Sequence, residues 1–381
     1  MWVRYQPNKY DQMMTHYKKS RTRPQEMQTV SKRWLGVLLL VGVLSACGGD
    51  TPFIASPTSP SSSTTTTTPT TITTSTPAQE ILTQMFGSNI SSTAYANYAG
   101  AAIPTYITKS NADNVSNAKA TLGRVLFYDK NLSVDTTIAC ASCHQQAIAF
   151  SDSALASSGV QGGLTGRHSM RLVNTRFSSE SKFFWDERAA SLEDQVLQPI
   201  QDHNEMGFSG TSGRLALADL LSRLAALDYY PVLFQQVYGD TTITAARIQE
   251  SLTHFVRSIV SFDSRYDLGR AQVGSDNADF PNFTPQENTG KSLFLTRAVF
   301  NAQGQRTSGG LGCNGCHRAP EFDIDPTSGN NGIIGRLNAT GFDLTNTRAP
   351  TLRDLAGPNG APNSPMMHTG VITTLQAAIG H

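Results

Sequence analysis

Apolar residues return at helical spacing along much of this chain. In the stretch ARIQESLTHFVRSIVSF, Ile248, Leu252, Phe255, Val256 and Ile259 fall on one face of a 3.6-residue period. GRLALADLLSRLAAL follows the same rule, and neither stretch alternates as a strand would. Gly- and Pro-rich joints such as SSGVQGGLTG and DLAGPNGAPNSP separate the helical runs. Long alternating runs are absent, so the pattern predicts a mainly α fold.

The N-terminal part has a different pattern. Trp34 to Ala46 form an apolar run behind Lys32 and Arg33. It is too short to span a bilayer but fits the h-region of an export signal. Its ending, LSAC, resembles a bacterial lipoprotein box, which would make Cys47 the lipidated mature N-terminus. MQTVSKRW supplies a basic n-region, so Met27 is the expected start and residues 1–46 the leader. The protein is then expected in the periplasm, lipid-anchored to the membrane. Residues 47–79 follow as a Ser/Thr/Pro tether, too poor in apolar surface to offset ordering entropy. About thirty such residues have a reach of roughly 30 Å.

Charge adds little. The chain is +1 overall, and residues 1–33 carry eight Lys/Arg against two Asp/Glu, or +6, which leaves −5 for the rest. No basic stripe points to nucleic acid. A mildly acidic body is compatible with a small basic protein partner.

Cysteine spacing is the strongest chemical signal. Four of the five cysteines lie in two C-x-x-C-H motifs: Cys140, Cys143 and His144, then Cys313, Cys316 and His317. Paired C-x-x-C units can hold zinc, but their usual separation of about 15–20 residues is greatly exceeded here. A thioredoxin-like dithiol needs a βαβ setting that neither motif has. At 8 His in 381 residues, His would follow both pairs by chance about once in 2,000 trials. C-x-x-C-H is the attachment signal of haem c: two thiols bond the macrocycle and the adjacent His faces the iron. Export agrees with this chemistry. The fold expected is therefore two cytochrome c-like helical domains after the tether, residues 80–267 and 268–381, each around one covalent haem c.

The segment FFWDERAASLEDQVLQPIQDHNEMG adds a second pattern. Here the chain resembles the bacterial di-haem cytochrome c peroxidase family, including relatives that mature methylamine dehydrogenase. The resemblance rests on a Trp-Asp-x-Arg-Ala block, a Gln ten residues after the Trp, and Glu-Met ten residues further on. Those positions are Trp185, Gln195, Glu205 and Met206. LGRVLFYDKNLS, FVRSIVSFDSRYD, APTLRDL and MMHTG flank them, so the likeness runs from about residue 80 to the end. It implies that the first haem is peroxidatic and that Glu205 moves a proton between the peroxide oxygens. It also implies that Gln195 hydrogen-bonds in that pocket and that Trp185 carries electrons between the haems. Hydrogen peroxide would be the substrate and a small cytochrome c or cupredoxin the electron donor; a homodimer is admitted. The alternatives are an enzyme that oxidises residues of a partner protein, or a non-catalytic di-haem electron-transfer module or redox sensor. Glu205 separates the last from the others, since a relay needs no acid–base group. His254 reads as a packed helix residue, His203 as an exposed neighbour of Glu205, and His16 as part of the leader.

Three departures from the family pattern matter. Relatives with a distal His about sixteen residues after the first motif use it to block the iron; Val160 stands in that neighbourhood. The first haem is thus expected to be open at rest, with His168, eight residues further on, as the alternative ligand. His168 also replaces an Asn that binds calcium in relatives, and imidazole suits a hard cation poorly. One calcium ion between the domains, using carbonyls of Asn363 and Pro365, is the expectation that weakens. Finally, relatives continue past TLQAAIGH to a Met or Tyr ligand for the second haem. The chain stops at His381, so truncation is expected, with His381, Met366 or Met367 as substitutes.

Overall fold

The computed structural model describes residues 76–381 except 92, 109–113, 180 and 358. The leader, Cys47, His16 and the tether through residue 75 lie outside the described residues.

Helices dominate up to residue 295. They are α1 (Pro77–Phe86), α2 (Asn117–Tyr128), the single turn α3 (Cys140–Cys143), α4 (Leu192–Gln201), α5 (Leu217–Ala225), α6 (Tyr229–Tyr238), α7 (Ala245–Arg257), α8 (Arg265–Arg270) and α9 (Pro285–Leu295). A last short helix, α10, spans Leu375–Gly380. Hydroxyl caps start most of them. Ser191 Oγ accepts from Asp194 N at 3.0 Å and Thr244 Oγ1 from Arg247 N at 3.2 Å. Thr284 and Glu287 close a reciprocal capping box on α9. The apolar face foreseen on α7 is the buried one: Ile248, Leu252, Phe255 and Val256 are all in the core, with Ile259 packed beside them past the helix end.

The main core joins α2, α4 and α7 with α1, α5 and α6. The crossing of α2 and α7 is close because of Gly123. A Cβ there would sit 1.9 Å from the Ser251 carbonyl oxygen, so only glycine admits this approach.

From residue 296 to 374 the described chain holds no α-helix. Two short antiparallel pairs, β1 (Ala298–Phe300) with β2 (Arg306–Gly309) and β3 (His317–Arg318) with β4 (Asp323–Ile324), are set in irregular backbone. The second half is therefore less helical than a cytochrome c-like domain was expected to be. Gly, Asn and Pro are frequent here, and its apolar cluster is small: Tyr266, Phe280 and Phe283, with Val273 and Phe322 against them. Polar ties replace apolar area. Arg353 is buried and donates to both carboxylate oxygens of Asp267 at 2.7 and 2.9 Å. Arg167 pairs with Asp186 and Asp343, and the Trp185 carbonyl accepts from Thr347 N and Arg348 N.

Candidate functional site

A cavity of about 580 Å³ opens between these segments. It falls in the range of about 300–1,000 Å³ usual for cofactor and ligand clefts. Cys143, His144, Trp185, Gln195 and Glu205 all line it. Five residues singled out by motif alone thus converge on one space. Its other wall includes Asp323, Arg348, Pro350 and Thr351; the carbonyls of Phe322 and Pro350 approach His317.

The local folding of each part is traceable. His144 N–H donates to the Cys140 carbonyl at 2.9 Å, continuing the turn of α3. Gln145 then pairs with Ser151 across a tight loop in which Ala149 and Phe150 take positive φ. That loop brings the Phe150 carbonyl to 2.9 Å from His144 Nδ1, with Ser169 Oγ at 3.1 Å. The proton is thereby fixed on Nδ1, leaving the Nε2 lone pair for a metal. Burial lowers the His144 pKa, which also favours the neutral, ligating ring.

None of the four described cysteines is in a disulfide. Burial pushes Cys140 up to about 12 and Cys143 up to about 11. Thiols this hard to ionise are poor redox nucleophiles. Among the described residues, no three His, Cys, Asp or Glu side chains converge as a metal-ion site. At the second motif, Cys313 begins a one-turn 3₁₀ helix and His317 opens β3, paired with Ile324. The Nδ1 of His317 is buried without a hydrogen-bond partner of good geometry, although the Phe322 carbonyl is near enough to favour its protonated form. Neutral histidines beside paired, unbridged thiols, with Cys143 and His144 facing a cofactor-sized cavity, are a donor set that fits haem c.

Glu205 is presented by the end of α4. The Asp202 side chain accepts from Asn204 N at 2.8 Å and Glu205 N at 3.1 Å, and the Asp202 carbonyl accepts from Gly207 N. Gly207 turns the chain at φ +86, a conformation strained for other residues. Protein surrounds the Glu205 carboxyl, but part of it faces the cavity. Desolvation, reinforced by Asp202 and opposed by Arg188, pushes it up to about 7. Val160 is buried, and its N–H donates to the Glu205 carbonyl at 3.0 Å. Gly159 and Gly163 pack so tightly on Asn204 that a Cβ on either would lie within 2.4 Å of its carbonyl oxygen.

Trp185 is buried in the loop bridging Phe183 and Ala189. Its indole N–H donates to the His168 carbonyl at 2.8 Å, and its ring meets His368 edge-on at 6.2 Å. His168 is itself buried. Its Nδ1 lies 2.9 and 3.2 Å from the Ala154 and Leu155 carbonyls, and Nε2 is 3.4 Å from Ser151 Oγ. Nδ1–H is held by these carbonyls, and Ser151 donates its one hydroxyl proton to the Ser169 carbonyl at 2.7 Å, so a swing of His168 to the first iron must break the Nδ1 bond. Gln195 is half-buried on α4. Asn363 uses its amide N–H on the Asp354 carbonyl at 2.7 Å. Met367 Sδ accepts from Asn331 Nδ2, and His381 Nε2 is 2.8 Å from the Asn331 carbonyl. His254 is buried, its Nδ1 accepting from Ser116 N, while His203 is half-buried against Ser209.

Sequence reasoning passed over Arg171, Arg348 and His368, all buried around this site. An arginine in the apolar run MRLV, with no acid at helical spacing, was the available signal for Arg171.

Comparison with known proteins agrees with this geometry. A family model described as di-haem cytochrome c peroxidase matches residues 117–273. The methylamine utilization protein MauG of Methylophilus methylotrophus is 31% identical over 275 residues, 69% of this chain and 71% of that protein. Cytochrome c551 peroxidase of Nitrosomonas europaea is 26% identical over 284 residues, covering 72% and 73%. A MauG-like protein associated with microbial copper homeostasis superposes with a TM-score of 0.53 at 26% identity, over 73% of this chain and 80% of that one. With motif, cavity and relatives in agreement, the chain belongs to the di-haem cytochrome c peroxidase family of oxidoreductases.

Proposed function

We propose that this protein reduces hydrogen peroxide to water in the periplasm, using electrons from a small cytochrome c or cupredoxin. The observation that carries the reading is the meeting of His144, Trp185, Gln195 and Glu205 at one cavity, with Glu205 held near neutrality. Haem c would be attached through Cys140 and Cys143 with His144 as ligand, and through Cys313 and Cys316 with His317. When bound, the haems supply the two electrons that cleave the O–O bond.

The chain's own residues supply the rest. Ionised Glu205 accepts a proton from one peroxide oxygen and returns it to the other, so that the leaving group departs as water. A pKa close to ambient pH suits both directions of transfer. Gln195 offers a neutral amide to orient peroxide without competing for the proton. Trp185, held at its indole N–H and its carbonyl, would carry electrons from the second haem to the first. Two electrons and two protons per peroxide then yield two waters.

Residues 80–267 and 268–381 are proposed as the two haem domains, behind an export signal and a lipid anchor at Cys47. Among the described residues no helix is long and apolar enough to cross a membrane. Likeness to MauG supports a second reading, in which residues of a partner protein supply the electrons. Pyridine haemochrome analysis should give near two c-type haems per chain, and peroxide should be consumed with reduced cytochrome c. Two haems without peroxide turnover would reject the peroxidase reading, and a haem-free zinc protein would reject both.

A further inference from the structure

Arginines crowd the cavity, and almost all are compensated. Arg167 pairs with Asp186 and Asp343, Arg188 with Asp186, and Arg348 with Asp323. Arg336 is exposed, where water solvates it. Arg171 has neither remedy. It is 8% exposed and lines the cavity, yet no described carboxylate lies within ion-pair distance. Its Nη1 donates to Ser364 Oγ at 3.3 Å, a long bond to a neutral group. Its Nε is buried with no partner at all. The acid whose charge Arg171 feels, Asp354, is half-buried and pushed by desolvation toward its neutral form.

An isolated buried cation is costly, and native proteins pair such groups. Burial pushes Arg171 down to about 10, so it is still charged at neutral pH. A guanidinium fork with a free Nε–H is the geometry that takes a planar carboxylate. The side chain has a direction as well: its hydrogen bond reaches Ser364, in the half of the chain that carries Cys313, Cys316 and His317.

We propose that Arg171 is the counter-charge for a propionate of the haem carried by Cys313, Cys316 and His317, with Ser364 holding Nη1 and Nε–H donating to the carboxylate. The inference rests on the two-haem reading and assigns a residue from the first half of the chain to the second haem. Arg171 is then a positioning residue that also sets potential. Without it the propionate charge is uncompensated, and the oxidised haem is favoured.

Holoprotein carrying R171Q or R171K is compared with the parent by pyridine haemochrome and by spectroelectrochemistry resolving both haems. R171Q should keep two haems and shift electron sharing at least tenfold toward the first, a drop of about 59 mV in the second haem's potential for a one-electron couple. The first haem should not move, and R171K should recover most of the drop. An unmoved second potential, a drop at the first haem instead, or R171K falling as far as R171Q overturns the assignment. Should R171Q lose haem, R171K with two haems carries the test through its smaller shift at the second haem alone. Fewer than two haems in the parent defeats the two-haem reading itself, a result separable from the others.

Discussion

Replacing Glu205 with Gln keeps the shape of the side chain and removes its proton chemistry. The carboxyl is raised from 4.5 to about 7, so about half is ionised at neutral pH. Peroxide consumption under kcat/KM conditions should rise with pH through that region, because the ionised form accepts the first proton, and level off above it. Glu205→Gln should flatten this limb and lower the plateau by about 10²–10⁴-fold, the usual contribution of a positioned acid–base group. A hundredfold loss corresponds to about 2.7 kcal/mol of barrier. The same substitution has a stability signature of opposite sense. Between the unfolded and folded values the native state binds more protons, so the parent loses stability as pH rises through that window. At about 1.4 kcal/mol per unit the full loss is at most about 3.5 kcal/mol, reduced by whatever water reaches the carboxyl from the cavity. The Gln variant should match the parent below about pH 4 and exceed it at alkaline pH. The assay is steady-state turnover with reduced cytochrome c across pH, on protein whose two haems are verified. Unchanged turnover and an unchanged pH limb, with both haems in place, would refute the assignment and leave Glu205 a structural residue.

Other outcomes follow from the same geometry. Arg353→Met strands Asp267 in a buried site where both partners are 4% exposed; urea unfolding should show a loss of about 3–5 kcal/mol, and less than 1 would mean water reaches the pair. Gly123→Ala drives a methyl into the Ser251 carbonyl and should cost about 1–3 kcal/mol by overpacking; an unshifted melting midpoint would show that α2 and α7 part easily. Trp185→Phe keeps an aromatic ring but orphans the His168 carbonyl, so stopped-flow reduction of the first haem by the second should slow while peroxide binding persists; an unaltered rate removes Trp185 from the electron path. With Val160 near the first site, electron paramagnetic resonance of the fully oxidised protein should contain a high-spin ferric signal, and low-spin signals alone would show a sixth ligand.

Much of the site was legible because its chemistry is written in short-range spacing. C-x-x-C-H is local, and so is the run from Trp185 through Gln195 to Glu205, which spans one loop, one helix and the turn that follows it. The apolar face of α7 was legible for the same reason, since a 3.6-residue period needs no partner to be seen. What escaped depends on pairs distant in sequence. Nothing near Gly123 announces that Ser251 will cross it, and nothing near Asp267 announces Arg353. The irregular backbone of residues 296–374 was harder still: with little apolar periodicity, its path follows from side-chain ties such as Arg348 to Asp323. His168 could be ranked by sequence offset as an alternative ligand, but only its placement reveals that the ring is buried with Nδ1–H held by backbone carbonyls.

The bond from Val160 N–H to the Glu205 carbonyl has a consequence for how the protein answers a pulse of oxidant. A switchable peroxidase needs one element to shut the site and another to perform the chemistry, each free of the other. Here the stretch that could serve as a shutter is fastened, through Val160 and the close glycine contacts at Asn204, to the backbone that aims the acid. Shutting would misalign the acid, and aligning the acid holds the shutter open. On the proposed function, such a protein would need no prior reduction to wake it. Its output would track peroxide from the first molecule encountered, with the ceiling set by how quickly the periplasm delivers electrons.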